Sequence, residues 1–229
     1  MKSSVITFPG SNCDRDVAVA IKNVTNTTAQ MLWHKETSIK NTDLIILPGG
    51  FSHGDYLRSG SIASRAPIMK EVIKCANNGI PVVGICNGFQ ILTECGLLPG
   101  VLMRNKNMNF ICKYVNLISK NKNLWVKDNE INKVISYPVA HHDGNYFANK
   151  DDLEILVKNN RIIFQYCSND GKIDEKANIN GSVNNIAGIT NDNGNVLGMM
   201  PHPERAIDNR LGGSDGINFF ENILNVIGT

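Results

Sequence analysis

The sequence lacks any long apolar run. Nowhere do about 18 apolar residues follow one another, as a membrane-spanning helix requires, and the apolar stretch near the N-terminus is too short for a signal peptide. An excess of one charge is also missing, because 23 basic residues stand against 21 acidic ones and no basic stripe is interleaved with aromatic residues. We therefore expect a soluble, cytosolic protein that binds neither a membrane nor nucleic acid.

Nucleotide-binding motifs are absent as well. The sequence contains no Gly-x4-Gly-Lys-Ser/Thr segment and no Gly-x-Gly-x-x-Gly segment after a candidate strand, so any ATP that the chemistry needs should bind to another chain. Its 6 cysteines form no Cys-x-x-Cys pair and no zinc-type spacing, which predicts no metal site. Most of these cysteines should be free and buried, so a chemical role for any one of them has to be argued from its neighbours.

What the first half of the sequence does contain is an alternation of strand and helix patterns. The candidate strands are continuous apolar runs, as expected of strands buried on both faces, and the candidate helices repeat apolar residues at a period near 3.6. The strands are 4–8, 43–47 and 82–85, and the helices are 14–24, 62–77 and 88–94. This alternation predicts an α/β fold with a doubly wound, mostly parallel sheet and flanking helices, in a single domain over residues 1–229.

The second half shows short candidate strands separated by polar turns. These strands are 111–117, 138–140, 162–166, 186–190 and 196–200. We expect some of them to pair antiparallel and to extend the sheet. In the first half, the loops 9–12, 48–51 and 86–88 each follow a strand, and loops at the carboxyl ends of parallel strands meet at one edge, where ligands bind.

Cys86 stands in the pentapeptide Gly84-Ile85-Cys86-Asn87-Gly88, where a strand becomes a helix. The pattern Gly-x-Cys-x-Gly has the form of a nucleophile elbow, with cysteine in place of the usual serine. The helix that follows directs its N-terminal amides at the sulfur, which favours the thiolate, and the Asn87 N–H is a natural oxyanion donor. The alternative is an ordinary packed cysteine at a strand end, but the pentapeptide favours a nucleophile.

The segment Met200-Pro201-His202-Pro203-Glu204 can supply the base that such a nucleophile needs. Its two prolines favour an extended backbone, in which residues i and i+2 point to the same side. Glu204 can then hold one imidazole nitrogen of His202 while the other faces Cys86, as in a catalytic triad. A proline-rich surface loop with a solvated glutamate is the alternative, and the elbow argues against it.

A second oxyanion donor can come from the loop Pro48-Gly49-Gly50-Phe51, because glycine lets a backbone N–H approach a ligand closely. Two glycines after a strand are by themselves a weak signal and usually mean only a turn. The run His141-His142-Asp143 could suggest a metal, but no further ligand has the spacing to complete such a site. We favour a polar loop near the pocket.

These segments resemble a known family, the class I (triad) glutamine amidotransferases. More specific segments are similar to the glutaminase subunits of phosphoribosylformylglycinamidine synthase, which act in purine biosynthesis. The general resemblance rests on 84–90, 48–50 and 202–204, and the specific one on 8–14, 49–58 and 201–205. Together these segments span nearly the whole chain, and 49–58 is the most specific of them.

The resemblance implies a flavodoxin-like fold and a reaction in which Cys86 attacks the side-chain amide of glutamine. Ammonia leaves, and water then releases glutamate from the thioester. It also implies roles for the neighbouring residues: His202 as acid and base, Glu204 as its orienting group, and the Asn87 and Gly50 amides as oxyanion donors. In such enzymes ammonia passes to a larger subunit that holds ATP and Mg²⁺ and amidates formylglycinamide ribonucleotide, and a small third subunit often bridges the two.

By the same resemblance, Gln90 and the loop His141–Gly144 would hold the amino acid end of glutamine. This loop departs from the family, which usually has Ala-His-Gly-Glu-Gly where this chain has Ala140-His141-His142-Asp143-Gly144. His142 lacks the backbone freedom of glycine, and Asp143 is one methylene shorter than glutamate.

Three other interpretations remain open from the sequence. A cysteine peptidase or deglycase of the same superfamily would share the elbow, but it usually places its histidine soon after the cysteine. A non-catalytic module would be expected to have lost Cys86, His202 or Glu204, and all of them are present. A glutaminase subunit of another synthetase is opposed only by the family-specific segments.

Overall fold

The computed structural model describes residues 1–227, so the last two residues of the predicted domain lie outside it. The strands are β1 (Ser3–Thr7), β2 (Gln30–Trp33), β3 (Leu44–Leu47), β4 (Val82–Ile85), β5 (Val101–Met103), β6 (Ile111–Ile118), β7 (Val134–His141), β8 (Asn145–Phe147), β9 (Ile162–Cys167), β10 (Ile186–Thr190) and β11 (Val196–Met199). The α-helices are α1 (Asp14–Thr25), α2 (Met69–Asn77), α3 (Asn87–Glu94), α4 (Lys150–Lys158) and α5 (Gly216–Ile227).

The main sheet has nine strands in the order β2-β1-β3-β4-β11-β10-β9-β6-β7. The strands from β2 to β11 pair parallel, and those from β11 to β7 pair antiparallel. A separate two-stranded sheet joins β5 and β8. The predicted doubly wound α/β sheet with antiparallel strands added in the second half is therefore confirmed.

Burial explains why the central strands read as continuous apolar runs. Every residue of β3 and β4 is buried, because both faces of a doubly wound sheet are covered. The covering helices have one apolar side, and in α1 this side consists of Val17, Ala20 and Ile21.

The prediction of one helix over 62–77 is wrong in its first half. Helix α2 begins only at Met69, and residues Ala63–Arg65 form a separate 3₁₀ turn. Ala66 lies between them with φ −61° and ψ 148°, because a residue that precedes a proline, here Pro67, avoids the helical region.

The position of β11 decides the geometry of the site. This strand pairs antiparallel with β10 but parallel with β4, and Met199 lies opposite Ile85. The carboxyl ends of β4 and β11 therefore lie side by side, which brings together two segments that are more than a hundred residues apart in the sequence. Among residues 1–227, no helix is both long enough and apolar enough to cross a membrane.

Candidate active site

Cys86 has the backbone of a nucleophile elbow. It lies between β4 and α3 with φ 50° and ψ −105°, a strained conformation for a residue with a side chain. Neighbouring glycines make the turn possible: a Cβ at Gly88 would lie 2.0 Å from the Leu47 carbonyl oxygen, and one at Gly84 would lie 2.5 Å from Leu92 Cδ1. The Cys86 N–H donates to the Met199 carbonyl (2.7 Å) and thereby ties the elbow to β11.

His202 and Glu204 form a buried pair directly after β11. His202 Nδ1 and Glu204 Oε1 are 2.7 Å apart, and the side chains are only 2% and 0% exposed. Burial alone would lower the pKa of His202, but the charges of Glu204 and Cys86 raise it well above its usual value. The backbone N–H of His202 donates to the Pro138 carbonyl at 2.8 Å, so β7 fixes where the ring lies.

The cysteine and the histidine meet over Gly49, in the loop after β3. A Cβ at this position would lie 2.7 Å from His202 Cε1 and 3.3 Å from Cys86 Cβ. The Cys86 thiol also lies close enough to His202 for its charge to raise the pKa of the imidazole, and its sulfur is 3.7 Å from the Ala140 carbonyl oxygen. The structure thus brings Cys86, His202 and Glu204 together, with glycine leaving the space between them.

The predicted oxyanion donors lie beside this cluster. Helix α3 begins at Asn87, and the first N–H groups of a helix have no partner within it. Gly50 has φ 134°, and a Cβ there would lie 2.6 Å from the Asn12 nitrogen, so only glycine fits. Phe51 differs from these two: its N–H donates to the Gly10 carbonyl at 3.0 Å, and its side chain is partly exposed at the rim of a cleft.

Side chains of α3 connect the elbow to both flanking loops. Asn87 Oδ1 accepts the Ser52 N–H at 3.2 Å, and Asn87 Nδ2 donates to Gln90 Oε1 at 2.8 Å. Gln90 Nε2 in turn donates to the Asp143 carbonyl at 2.7 Å. Gln90 and Asp143, which the sequence placed at the same pocket, are therefore in direct contact.

The residues of the loop after β7 have different environments. His141 is buried, its Nδ1 lies 3.1 Å from Asn105 Oδ1, and burial lowers its pKa to about 4, so its ring is neutral at pH 7. His142 is half-buried and bonds to Arg104 and to the Met108 carbonyl at the edge of the cleft. Asp143 accepts from the Ser59 hydroxyl at 3.1 Å and also pairs with Arg104 at 3.4 Å.

Sequence reasoning gave Asp55 no role in this region and considered Cys13 only as the next candidate for the nucleophile after Cys86. Asp55 lines a cleft of about 640 Å³ together with Asp143, and burial and the charge of Asp143 raise the pKa of Asp55 to about 6. Cys13 is buried at the start of α1, and its sulfur lies within 4.8 Å of ligand atoms of His202 and Glu204. Both residues stand in segments that carried the family resemblance. Both also lie in loops that follow parallel strands, and this position could have indicated that they belong to the site.

Cys13, His202 and Glu204 are also the types of side chain that bind metal ions. Two of them already bond to each other through His202 Nδ1 and Glu204 Oε1. The absence of a metal from the working site remains a prediction from the sequence.

Comparison with known proteins agrees with this geometry. The family model of the CobB/CobQ-like glutamine amidotransferase domain matches residues 1–212. One chain in the structure of PurLQS from Thermotoga maritima is 40% identical to this chain and superimposes with a TM-score of 0.84. The match covers 98% of this chain and 97% of the Thermotoga maritima chain. A glutamine amidotransferase of the same organism, 16% identical with a TM-score of 0.62, shares the fold.

Relatives of known function match over nearly their full length. The phosphoribosylformylglycinamidine synthase subunit PurQ of Pelagibacter ubique is 52% identical over 226 residues, which is 98% of this chain and 99% of the relative. The PurQ subunit of a Synechocystis strain is 50% identical over 217 residues, which is 94% of this chain and 97% of the relative. The chain therefore belongs to the glutamine amidotransferase family, and within it to the PurQ subunits of phosphoribosylformylglycinamidine synthase.

Proposed function

We propose that this chain is the glutaminase subunit of phosphoribosylformylglycinamidine synthase and that Cys86, His202 and Glu204 are its catalytic triad. The observation that carries the proposal is the buried His202–Glu204 pair facing a cysteine on a strained elbow. Full-length identity of about half to the PurQ subunits supports the choice of synthase.

The reaction runs through a thioester on Cys86. His202 takes the thiol proton, the sulfur attacks the side-chain carbonyl carbon of glutamine, and a tetrahedral oxyanion forms. Collapse of this intermediate breaks the C–N bond, and His202 returns the proton to the leaving nitrogen, which departs as ammonia. Water, deprotonated by His202, then attacks the thioester, so that glutamate leaves and the thiol is restored.

The groups around Cys86 and His202 form no covalent bond to glutamine and act by stabilising the charges that develop in the reaction. Glu204 holds Nδ1 of His202 protonated, so that Nε2 faces the reacting atoms, and it stabilises the imidazolium. The backbone N–H groups of Asn87 and Gly50 stabilise the oxyanion. Each such donor typically contributes a factor of about 10²–10³ to kcat.

The amino acid end of glutamine is held by the cleft beside α3. Gln90 and the His141–Asp143 loop form its wall, and neutral His141 anchors that loop to Asn105. The charge of Asp143 disfavours the charge of Asp55 here, which is the arrangement that a bound cation relieves. We assign the α-ammonium group of glutamine to the space between these two carboxylates.

Asp55→Asn is therefore expected to raise KM for glutamine about tenfold with a small effect on kcat. In the wild type, the KM should rise as pH falls through about 6, because Asp55 gains a proton and loses the charge that binds ammonium. This pH dependence should weaken in the variant. The control is the glutamine analogue without an α-amino group: if Asp55→Asn weakens its binding as much as that of glutamine, Asp55 does not bind the ammonium.

The partners follow from the proposed activity. Ammonia would pass to a larger synthase subunit that binds ATP and Mg²⁺ and converts formylglycinamide ribonucleotide to formylglycinamidine ribonucleotide. A small third subunit would complete the assembly, in keeping with the name PurLQS that the Thermotoga maritima structure carries. We place the complex in the cytoplasm.

The test is glutamate release from glutamine, measured with and without the larger subunit and its ribonucleotide substrate. We expect release to rise with the partner and to vanish in Cys86→Ala. Release of glutamate that does not depend on the partner would support the glutaminase activity but contradict the choice of synthase. A folded chain that releases no glutamate in either case would exclude glutamine as the substrate.

A further inference from the structure

Cys13 is a second buried thiol in contact with the triad, and the proposed mechanism does not use it. The side chain is 1% exposed, and its sulfur lies within 4.8 Å of ligand atoms of both His202 and Glu204. A Cβ at Gly49 would lie 3.2 Å from Cys13 Sγ and 2.7 Å from His202 Cε1. The thiol and the imidazole therefore pack against the same glycine.

The hydrogen bonds around Cys13 leave its sulfur free to accept one more. Its S–H donates to Asn12 Oδ1 at 3.2 Å. Burial raises the pKa of Cys13, so the side chain stays a neutral thiol at pH 7. A thiol that donates its own proton elsewhere still offers a weak acceptor, which suits it to bind an imidazolium N–H without holding it tightly.

The imidazolium form of His202 would be held in place by a weak acceptor of this kind at Nε2. Its Nδ1 is bonded to Glu204, whereas its Nε2 is buried and has no hydrogen-bond partner among the residues that the structure describes. Nε2 has to carry a proton from the Cys86 sulfur to the leaving nitrogen, and during that time the ring is an imidazolium with a buried N–H. An imidazolium that can turn away from the substrate would slow the transfer.

We propose that Cys13 is a positioning residue for His202, whose sulfur accepts the Nε2–H of the imidazolium and holds the ring between Cys86 and the substrate. This inference rests on the proposed glutaminase function. Cys13 acts only through His202 and forms no bond to glutamine. Its position immediately before α1 fixes the sulfur, because the Cys13 N–H donates to the Gly49 carbonyl at 3.3 Å.

The test compares Cys13→Ala and Cys13→Ser with Cys167→Ala, which removes another buried thiol that lies on β9. We expect Cys13→Ala to lower kcat about tenfold, the effect of one hydrogen bond, and to leave KM within about twofold. The limb of the pH–rate profile that His202 controls should move to lower pH, because Cys13 helps to raise the pKa of His202. Cys13→Ser should recover part of kcat, and Cys167→Ala should change neither quantity.

A second readout does not depend on turnover. The rate of Cys86 alkylation by iodoacetamide, followed by peptide mass spectrometry across pH, reports the thiolate that forms together with the imidazolium. Without Cys13 the imidazolium is less stabilised and the pair forms only at higher pH, so the pH midpoint of alkylation should shift upward in Cys13→Ala. An unchanged kcat and midpoint would overturn the inference. So would a raised KM at constant kcat, or equal losses in Cys13→Ala and Cys167→Ala without a pH shift. If the wild type itself hydrolyses no glutamine, the proposed function fails, and the alkylation midpoint still tests Cys13.

Discussion

Replacing Cys86 with alanine is expected to lower kcat for glutamine hydrolysis by at least about 10⁴-fold, because no other group supplies the sulfur that forms the thioester. The fold should survive. The substitution removes one atom from a side chain that is 5% exposed, and alanine adopts the left-handed backbone at this position no less readily than cysteine does. Circular dichroism and thermal unfolding of the variant check that it remains folded.

Cys86→Gly is the matched variant for the elbow. It removes the thiol as alanine does but also relieves the positive φ of 50°, a strain of about 1–3 kcal/mol. We expect both variants to be inactive and the glycine variant to have the higher Tm. Activity that persists in Cys86→Ala would move the nucleophile elsewhere, and a lower Tm for Cys86→Gly would contradict the strained elbow.

Glu204→Gln is expected to have the second largest effect, a fall in kcat of about 10²–10⁴-fold with KM within about threefold. The carboxamide keeps the size of the side chain but loses the charge that raises the pKa of His202. The ring then has neither a fixed tautomer nor a stabilised imidazolium. The limb of the pH–rate profile that His202 controls should therefore move to lower pH.

The control for Glu204 is Glu130→Gln. Glu130 is a half-buried glutamate whose carboxylate accepts the Lys127 N–H at 3.0 Å, so its replacement also removes an internal charge. We expect it to leave kcat unchanged. An unchanged kcat in Glu204→Gln, or an equal fall in both variants, would refute the orienting role of Glu204.

The local chemistry of the site could be predicted from short segments of the sequence. The glycines around Cys86 restrict the backbone by themselves, so the cysteine has the predicted elbow. The extended backbone predicted from the two prolines is wrong for Pro203–Arg205, which form a 3₁₀ turn, and this turn still places Glu204 against His202. The alternation of apolar strands and helices was enough to place the loops after β1, β3 and β4 at one edge of the sheet.

What could not be predicted depends on contacts between distant parts of the chain. Asp55 acquires its raised pKa because the fold buries its carboxyl group and brings Asp143 close to it. Cys13 likewise meets His202 through packing against Gly49, which no local pattern reveals. Strand β2 was missed for another reason: three of its four residues are exposed, so it lacks the apolar pattern of a central strand.

The central claim is that Cys86 carries the glutamyl group, and trapping that intermediate tests it most directly. The protein would be quenched in acid during glutamine turnover, digested, and the peptides that contain Cys86 and Cys13 compared by mass spectrometry. We predict a glutamyl thioester on Cys86, with Cys13 unmodified. A thioester on Cys13, or glutamate release without a thioester on either cysteine, would contradict the account.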